Sequence, residues 1–408
     1  MYITTTIPYV NARPHLGHAL EIVQGDVLAR HYRRRGEPVR FQTGTDDNSL
    51  KNVLAAEAEG VPVRELVDRN AAAFEGLRES YDLSFDSFIR TSHHPGHRPG
   101  VERIWRTIDG DLYQRHYEGL YCVGCEQFCI EGPCPEHEAP LQRVSEKNWF
   151  FRLSRYQDAL LDLIRGGRLR IEPAARRNEV LAFIEAGLAD ISVSRSADRA
   201  RGWGIPVPGD PSQVVYVWWD ALANYVTALD GGDYDRWWVA EPRKVHLMGK
   251  GVIRFHAVYW PAMLLAAGLP LPAEIFVHDY LTVGGRKISK SSGTSAVAVD
   301  AVAGRTLVEA CESAPGRVHE ALEGFDFRRA AAAVWTIVEE ANKYVERVKP
   351  WRQEPGDRET SLATLVYACR VLAGQLAPFL PTGAARVAAA VSGERLADPE
   401  PLFPRLAG

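Results

Sequence analysis

Tyr2-Ile3-Thr4-Thr5-Thr6-Ile7, followed by Pro14-His15-Leu16-Gly17-His18, is the stretch that decides the fold. Its first six residues are β-branched or aromatic and read as a short buried strand. Pro14 has a backbone angle suited to a first helical turn, and the apolar spacing carries a helix to about Arg35, where Gly36 stops it. Val39 to Thr43 reads as the next strand, with Asp46-Asp47-Asn48 as the loop at its carboxyl end. Strand, helix, strand at this spacing is a right-handed parallel crossover. The pattern returns late in the chain. Lys244 to Met248 reads as a strand, Val252 to Ala267 as a helix and Glu274 to His278 as a strand. The fold class is α/β, with a Rossmann-like core in two halves.

Around that core the segments are expected to divide at 1–111, 112–195, 196–292, 293–304 and 305–408. The first and third are the halves of the core, and the second is an insertion of hairpin and helix. The fourth is a short linker. In the last, Ala, Leu and Arg recur at helical spacing, as in Ala330 to Val348 and Ser361 to Phe379. At 408 residues, 46% apolar and 25% charged, the chain is an ordinary globular composition with room for a large core. A net charge of −4 excludes a generally basic nucleic-acid binder while allowing a local basic groove. Met1-Tyr2-Ile3-Thr4 shows no basic stretch leading into an apolar run, and the uncharged run Ala257 to Ala273 is short and broken by prolines. A cytoplasmic protein without membrane association is expected. Four of six cysteines crowd into Cys122 to Cys134, which suits metal binding in a reducing compartment better than disulfides.

Three clusters carry chemistry. His15-Leu16-Gly17-His18 opens a helix directly after a strand, where unpaired backbone N–H groups and the helix dipole attract phosphate. Its two imidazoles face one way and donate hydrogen bonds, and Gly17 lets a nucleotide approach the backbone. Lys287-Ile288-Ser289-Lys290-Ser291 follows Gly284-Gly285 in a loop that can move. Only eight of the 48 basic residues are lysine, so two within four positions mark a need for compact ammonium charges. Together the two motifs point to ATP-dependent activation of a carboxylate. Third, Cys122-x2-Cys125 and Cys134-x2-His137 give two pairs that can turn toward one tetrahedral structural Zn2+, with Cys129 a possible substitute ligand.

With these residues in view, the chain resembles the class I aminoacyl-tRNA synthetases, and within them methionyl-tRNA synthetase. The matching stretches are Ile7-Pro8-Tyr9-Val10-Asn11, His15 to His18, Gly44 to Asp47, Asn148 to Phe151, Trp218 to Ala221, Phe255-His256 with Trp260 to Met263, and Lys287 to Ser291. The resemblance implies a catalytic core split by a zinc-binding insertion and followed by a helical anticodon-binding-like domain. It implies activation of an amino acid, methionine or another, to an aminoacyl adenylate with release of pyrophosphate. The amino acid's carboxylate is already a nucleophile, so the protein's task is positioning and charge neutralisation. The resemblance gives His15, His18, Lys287 and Lys290 catalytic roles on ATP and its Mg2+. It assigns Gly17, Lys250, Ser289 and Ser291 to ATP binding. Ile7, Tyr9, Asp46, Trp218, Ala221, Tyr225, His256 and Trp260 are implied to hold the amino acid, Asp46 through its ammonium group. Aromatic faces around a thioether sulfur are favourable. It also places the zinc knuckle in the insertion.

Two departures matter. Gly251 stands where the family pattern often has an acid contacting ribose, which leaves that contact unassigned. Gly293 to Gly304 is too short for the family's stem-contact segment. The shortened linker favours a small acceptor, such as an N-hydroxylated amine with a cupin partner, over a compact tRNA-charging enzyme. A non-catalytic nucleotide- or tRNA-binding regulator is the weakest reading, since both motifs are intact. Asn342, Lys343 and Trp351 resemble anticodon-domain positions, and Trp351 either stacks a base or packs the helix ends.

Overall fold

The computed structural model describes residues 1–122, 127–129, 141–279 and 304–392. Lys287, Ser289, Lys290, Ser291, Cys125, Cys134 and His137 lie outside the described residues, as do the side chains of Cys122 and Cys129. The chain divides into two compact units, Met1–Gly25 with Val39–Leu281, and Asp26–Pro38 with Thr282–Gly408.

In chain order the first unit opens with β1 (Tyr2–Thr5), α1 (Leu16–Arg34, its second half counted with the other unit), β2 (Arg40–Thr45), α2 (Leu50–Glu59) and α3 (Val63–Glu75). A single turn α4 (Leu77–Ser80), β3 (Ser87–Arg90) and α5 (His97–Thr107) follow. Next come β4 (Leu112–Cys122), β5 (Gln127–Cys129), β6 (Gln142–Phe151), α6 (Gln157–Arg165), β7 (Arg170–Glu172) and α7 (Ala174–Glu185). Short strands β8 (Ile191–Ser192), β9 (Ser194–Ser196), β10 (Pro206–Val207) and β11 (Asp210–Val215) lead to α8 (Val217–Thr227) and the turn α9 (Gly232–Tyr234). β12 (Lys244–Gly249), α10 (Trp260–Ala266) and β13 (Glu274–His278) complete the unit.

The central sheet has the order β3-β2-β1-β12-β13-β7, and every neighbouring pair is parallel. Strand order reverses between β1 and β12, and crevices at that switch point, outside the carboxyl ends of the strands, are where such sheets bind ligands. The inner strands β1, β12 and β13 are buried along nearly their whole length, as expected where helices cover both faces of a parallel sheet. α1 lies so close to the sheet that a Cβ on Gly25 would sit 2.8 Å from the Phe41 ring. Gly36, at φ +81°, turns the chain out of that helix in a conformation most side chains avoid.

Two features differ from the sequence reading. The stretch 112–195 is not wholly separate from the core sheet, since β7 pairs with β13 as an edge strand. The expected helix Val252 to Ala267 is not uniform: Phe255–Tyr259 forms a widened turn before α10. Pro261 explains this, because it has no N–H to donate and its ring crowds the carbonyl four residues back.

The second unit contains α11 (Arg305–Glu323), α12 (Phe327–Val348), α13 (Pro355–Leu376) and α14 (Pro381–Ala390). Leu307, Cys311, Ala314, Ile337, Tyr344 and Ala368 form its apolar centre. Trp351, in the single turn Pro350–Arg352, is 64% exposed, so it does not serve to pack helix ends.

Candidate active site

The loop after β1 carries the chain over the sheet's carboxyl edge into α1, and His15 and His18 sit at that entry. Their rings stack with centroids 3.7 Å apart. The Nδ1 of His15 accepts from the Gly17 N–H at 3.0 Å, and the Nδ1 of His18 accepts from the His15 N–H at 3.3 Å. Burial, reinforced by the neighbouring His15, pushes His18 down to about 4 despite the opposing charge of Glu21. His18 is therefore neutral near pH 7, with its Nε2 carrying the proton as a donor. Gly17 also has a role toward its own neighbour. A Cβ there would meet Cε1 of His15 at 2.9 Å, so the glycine makes room for His15's own ring.

Sequence reasoning missed Glu21, one turn beyond His18 on the same helix face. Its Oε1 accepts from the backbone N–H of Thr6 at 2.8 Å and from the Thr6 hydroxyl. Its Oε2 accepts from the Gly249 N–H and from Nε2 of His278, both at 3.0 Å. One carboxylate thus ties together the carboxyl ends of β1, β12 and β13. The Nδ1 of His278 faces the Asp279 carbonyl at 3.0 Å, so both ring nitrogens meet acceptors. Burial alone would lower this ring, but Glu21 and Asp279 outweigh it and raise its pKa. Lys250, half-buried, directly follows β12 at the same edge.

Asp46 and Asp47 are both buried at the end of β2, yet their surroundings differ. Asp47 accepts from Thr45, Arg90 and Ser92, which makes it a local tie between β2 and the segment after β3. Asp46 forms a parallel bridge with Tyr9 and accepts from the Asn48 N–H at 3.2 Å. Of the two carboxylates, Asp46 is the one that flanks the β1 loop.

Beside it lies an aromatic chamber. Trp218, Ala221 and Tyr225 recur at helical spacing on one face of α8. Trp218 meets Tyr9 edge-on at 5.9 Å and stacks on Phe255 at 3.8 Å. Deeper in, Tyr225 packs against Trp260 at 5.9 Å, and both are essentially fully buried. The Nδ1 of His256 lies 2.9 Å from the Val252 carbonyl and donates to it, leaving Nε2 to accept from the Tyr225 hydroxyl at 2.7 Å. Burial is the main cause that pushes His256 down to about 4. Behind Tyr225, His246 packs in a tilted arrangement at 4.2 Å and bonds Thr4, and burial takes its pKa well below the usual value. Ile7 and Tyr9 are half-buried in the loop at the open side.

The structure therefore places His15, Gly17, His18, Lys250, Asp46, Ile7 and Tyr9 toward the strand ends of one unit, and Trp218, Ala221, Tyr225, His256 and Trp260 in the aromatic chamber beside them. Glu21, His278 and His246 had no sequence signal beyond a charge on an inward helix face and histidines within apolar strands. Among the described residues no cluster of three or more His, Cys, Asp or Glu is arranged to hold a metal ion. Nor is any described helix long and apolar enough to cross a membrane.

Known proteins are similar to this chain over most of its length. Residues 1–145 and 136–310 match the family model described as tRNA synthetases class I (M), and residues 305–396 match the anticodon-binding domain of tRNA ligase. A methionine–tRNA ligase of Brucella suis biovar 1 (strain 1330) is 45% identical over 307 residues, covering 72% of this chain and 58% of the relative. This chain thus spans less than two thirds of that protein's length. A methionine–tRNA ligase of Mesorhizobium japonicum is 33% identical over 509 aligned positions, covering 99% of this chain and 97% of its own. The crystal structure of Mycobacterium tuberculosis methionyl-tRNA synthetase bound by methionyl-adenylate superposes with a TM-score of 0.87 at 31% identity, covering 99% of both chains. These findings back a tRNA acceptor better than the small amine suggested by the short linker, and nothing in them supports a cupin partner.

Proposed function

This chain belongs to the tRNA synthetases class I (M) family, and on that footing we propose that it is a methionine–tRNA ligase. It would activate methionine with ATP and transfer the aminoacyl group to tRNA. The observation that carries the reading is the aromatic chamber of Trp218, Tyr225, His256 and Trp260, which adjoins through Tyr9 the loop after β1 and, through the Tyr9–Asp46 bridge, the end of β2. The chamber's floor is uncharged: burial keeps His256 neutral, donating to the Val252 carbonyl and accepting from the Tyr225 hydroxyl. A thioether gains from the aromatic faces and needs no strong partner, whereas a charged side chain would be left unpaired.

In the first step a carboxylate oxygen of methionine attacks the α-phosphorus, the bond from that phosphorus to the bridging oxygen breaks, and pyrophosphate leaves. No proton moves. Asp46 would pair with the substrate ammonium and hold the carboxylate in line. His15 and His18 would donate N–H groups to phosphate oxygens, and His18, being neutral, offers direction rather than charge. Charge compensation falls to Lys250 and, from their motif, to Lys287 and Lys290, with Ser289 and Ser291 as further donors. Mg2+ would arrive on the triphosphate and add positive charge there. In the second step a terminal tRNA hydroxyl attacks the acyl carbon, AMP departs, and the hydroxyl proton leaves with its phosphate. Exposed Trp351 offers a face for a tRNA base. The spacing of Cys122, Cys125, Cys134 and His137 supports a structural Zn2+ in the insertion.

Methionine-dependent exchange of labelled pyrophosphate into ATP tests the first step, and charging of methionine tRNA tests the second. Both should proceed. Exchange without charging removes the tRNA acceptor, and absence of exchange with every amino acid removes the enzyme.

A further inference from the structure

Away from the phosphate end, a line of side-chain hydrogen bonds runs through the interior of the first unit. His97 on α5 has no exposed surface, and Asp220 on α8 is 1% exposed. The Nδ1 of His97 lies 2.6 Å from Thr227 Oγ1, and Nε2 lies 2.6 Å from Asp220 Oδ1. Because an ionised carboxylate only accepts, Nε2 carries the proton and donates. The second oxygen of Asp220 accepts from Nδ2 of Asn48 at 2.7 Å. The backbone N–H of Asn48 in turn donates to Asp46 at 3.2 Å.

A carboxylate this deep costs several kcal/mol unless each oxygen is satisfied, and here each has one donor. Apolar residues could fill the same volume without that cost, so packing alone does not account for the arrangement. Its place on α8 does. Trp218, Ala221 and Tyr225 occupy one face of that helix and line the chamber. Asp220, Asn224 and Thr227 recur at helical spacing on another face. Asn224 accepts from the Gln42 amide on β2 at 2.9 Å, and Asp220 reaches the loop that follows the same strand. One helix face shapes the chamber while the other is bonded to β2 and its loop.

We propose that His97 and Asp220 are positioning residues for the amino-acid substrate: through Asn48 they hold the Asp46 carboxylate in register with the aromatic chamber. Neither needs to touch the substrate. This deepens the function proposed above and rests on Asp46 and the chamber as the amino-acid site.

Steady-state pyrophosphate exchange, with methionine and ATP varied separately, separates this role from general support of the fold. Asn48→Ala leaves the buried His97–Asp220 pair in place and removes only its outward link. It should raise the methionine KM about tenfold, the equivalent of one hydrogen bond to a charged group, with the ATP KM within about twofold of the parent. His97→Ala should act in the same direction more strongly, and His97→Gln, which keeps a donor near Asp220, should recover most of the loss. An unchanged methionine KM in Asn48→Ala overturns the proposal, as does a parallel rise of both KM values. Should His97→Ala fail to fold, Asn48→Ala decides alone. Absence of exchange in the unaltered chain overturns the underlying function, and this inference with it.

Discussion

His256 and His278 are both buried, at 3% and 8% exposure, yet their pKa values are pulled in opposite directions. His256 donates through Nδ1 to a carbonyl and accepts through Nε2 from a phenol, a pattern only the neutral ring can satisfy. His278 faces a carboxylate and a carbonyl, both acceptors, a pattern that needs both protons. Burial pushes both rings toward neutrality, and only at His278 does a partner's charge overcome it. The two ends of the site are built accordingly. On the proposed reading an uncharged floor would receive an apolar side chain, while Glu21 and His278 join three strands where a polyanionic nucleotide would lie.

The largest effect should come from removing the carboxylate on which this contrast depends. Glu21→Ala leaves the N–H groups of Thr6 and Gly249 without their acceptor and His278 without its counter-charge. Breaking a buried pair from one side typically costs about 3–5 kcal/mol. Chemical denaturation should show a loss in that range. Histidine NMR titration should show His278 falling below its ordinary value, as His256 already does. If His278 stays high in this variant, the Asp279 carbonyl rather than Glu21 sets its state, and the contrast has been assigned to the wrong partner.

The pH dependence of stability comes next, and the two rings give opposite signs. His256 is held below its ordinary 6.5 in the fold. Its contribution is present above that value and is lost as pH falls toward about 4. A drop from 6.5 to about 4 corresponds to about 3 kcal/mol. His18 and His31, also pushed down to about 4, and His246 add to this acid limb. His278 is raised, so its contribution is complete below 6.5 and fades as pH climbs through its folded value. Thermal unfolding from pH 4 to 9 should therefore give a steep acid limb and a shallower alkaline one. Glu21→Gln should flatten the alkaline limb and steepen the acid one, because His278 then joins the lowered rings while His18 and His256 lose the charge that opposes their fall. An acid limb that stays unchanged in that variant would mean the Glu21 charge does not reach these rings.

How much of this could be read from the chain itself follows from the same contrast. The strand and helix framework was legible in Tyr2 to Gly36 and Lys244 to His278 because alternation and periodicity are local. His15, His18 and the α8 aromatics were legible for the same reason, since spacing within one element fixes which side chains share a face. Glu21 was not, because its meaning comes from Gly249 and His278, 228 and 257 residues away. His97 was missed likewise, its partners lying 123 and 130 residues on. β7 escaped too, a three-residue strand that becomes an edge only through β13. Periodicity says which way a residue points and not what it will meet. The comparisons favour the tRNA alternative over the small acceptor for another reason: a short segment says that something is shorter, without saying which partner has been given up.

The smallest and sharpest test is Thr6→Val. The substitution keeps a β-branched side chain just past the end of β1 and removes one O–H donor to Oε1 of Glu21, while the backbone N–H of the same residue still donates at 2.8 Å. Losing one of four donors should cost about 1 kcal/mol, readable by denaturation. His278 bonds the other oxygen, so its raised pKa should survive the change. A carboxylate short of one donor holds its negative charge less comfortably, and that makes a nearby imidazolium more welcome rather than less. If His278 instead returns to its ordinary value in Thr6→Val, the ion pair depends on the exact placement of Glu21 more than on its charge. The two buried histidines would then differ by geometry, and the electrostatic account of the site would have to be replaced by a steric one.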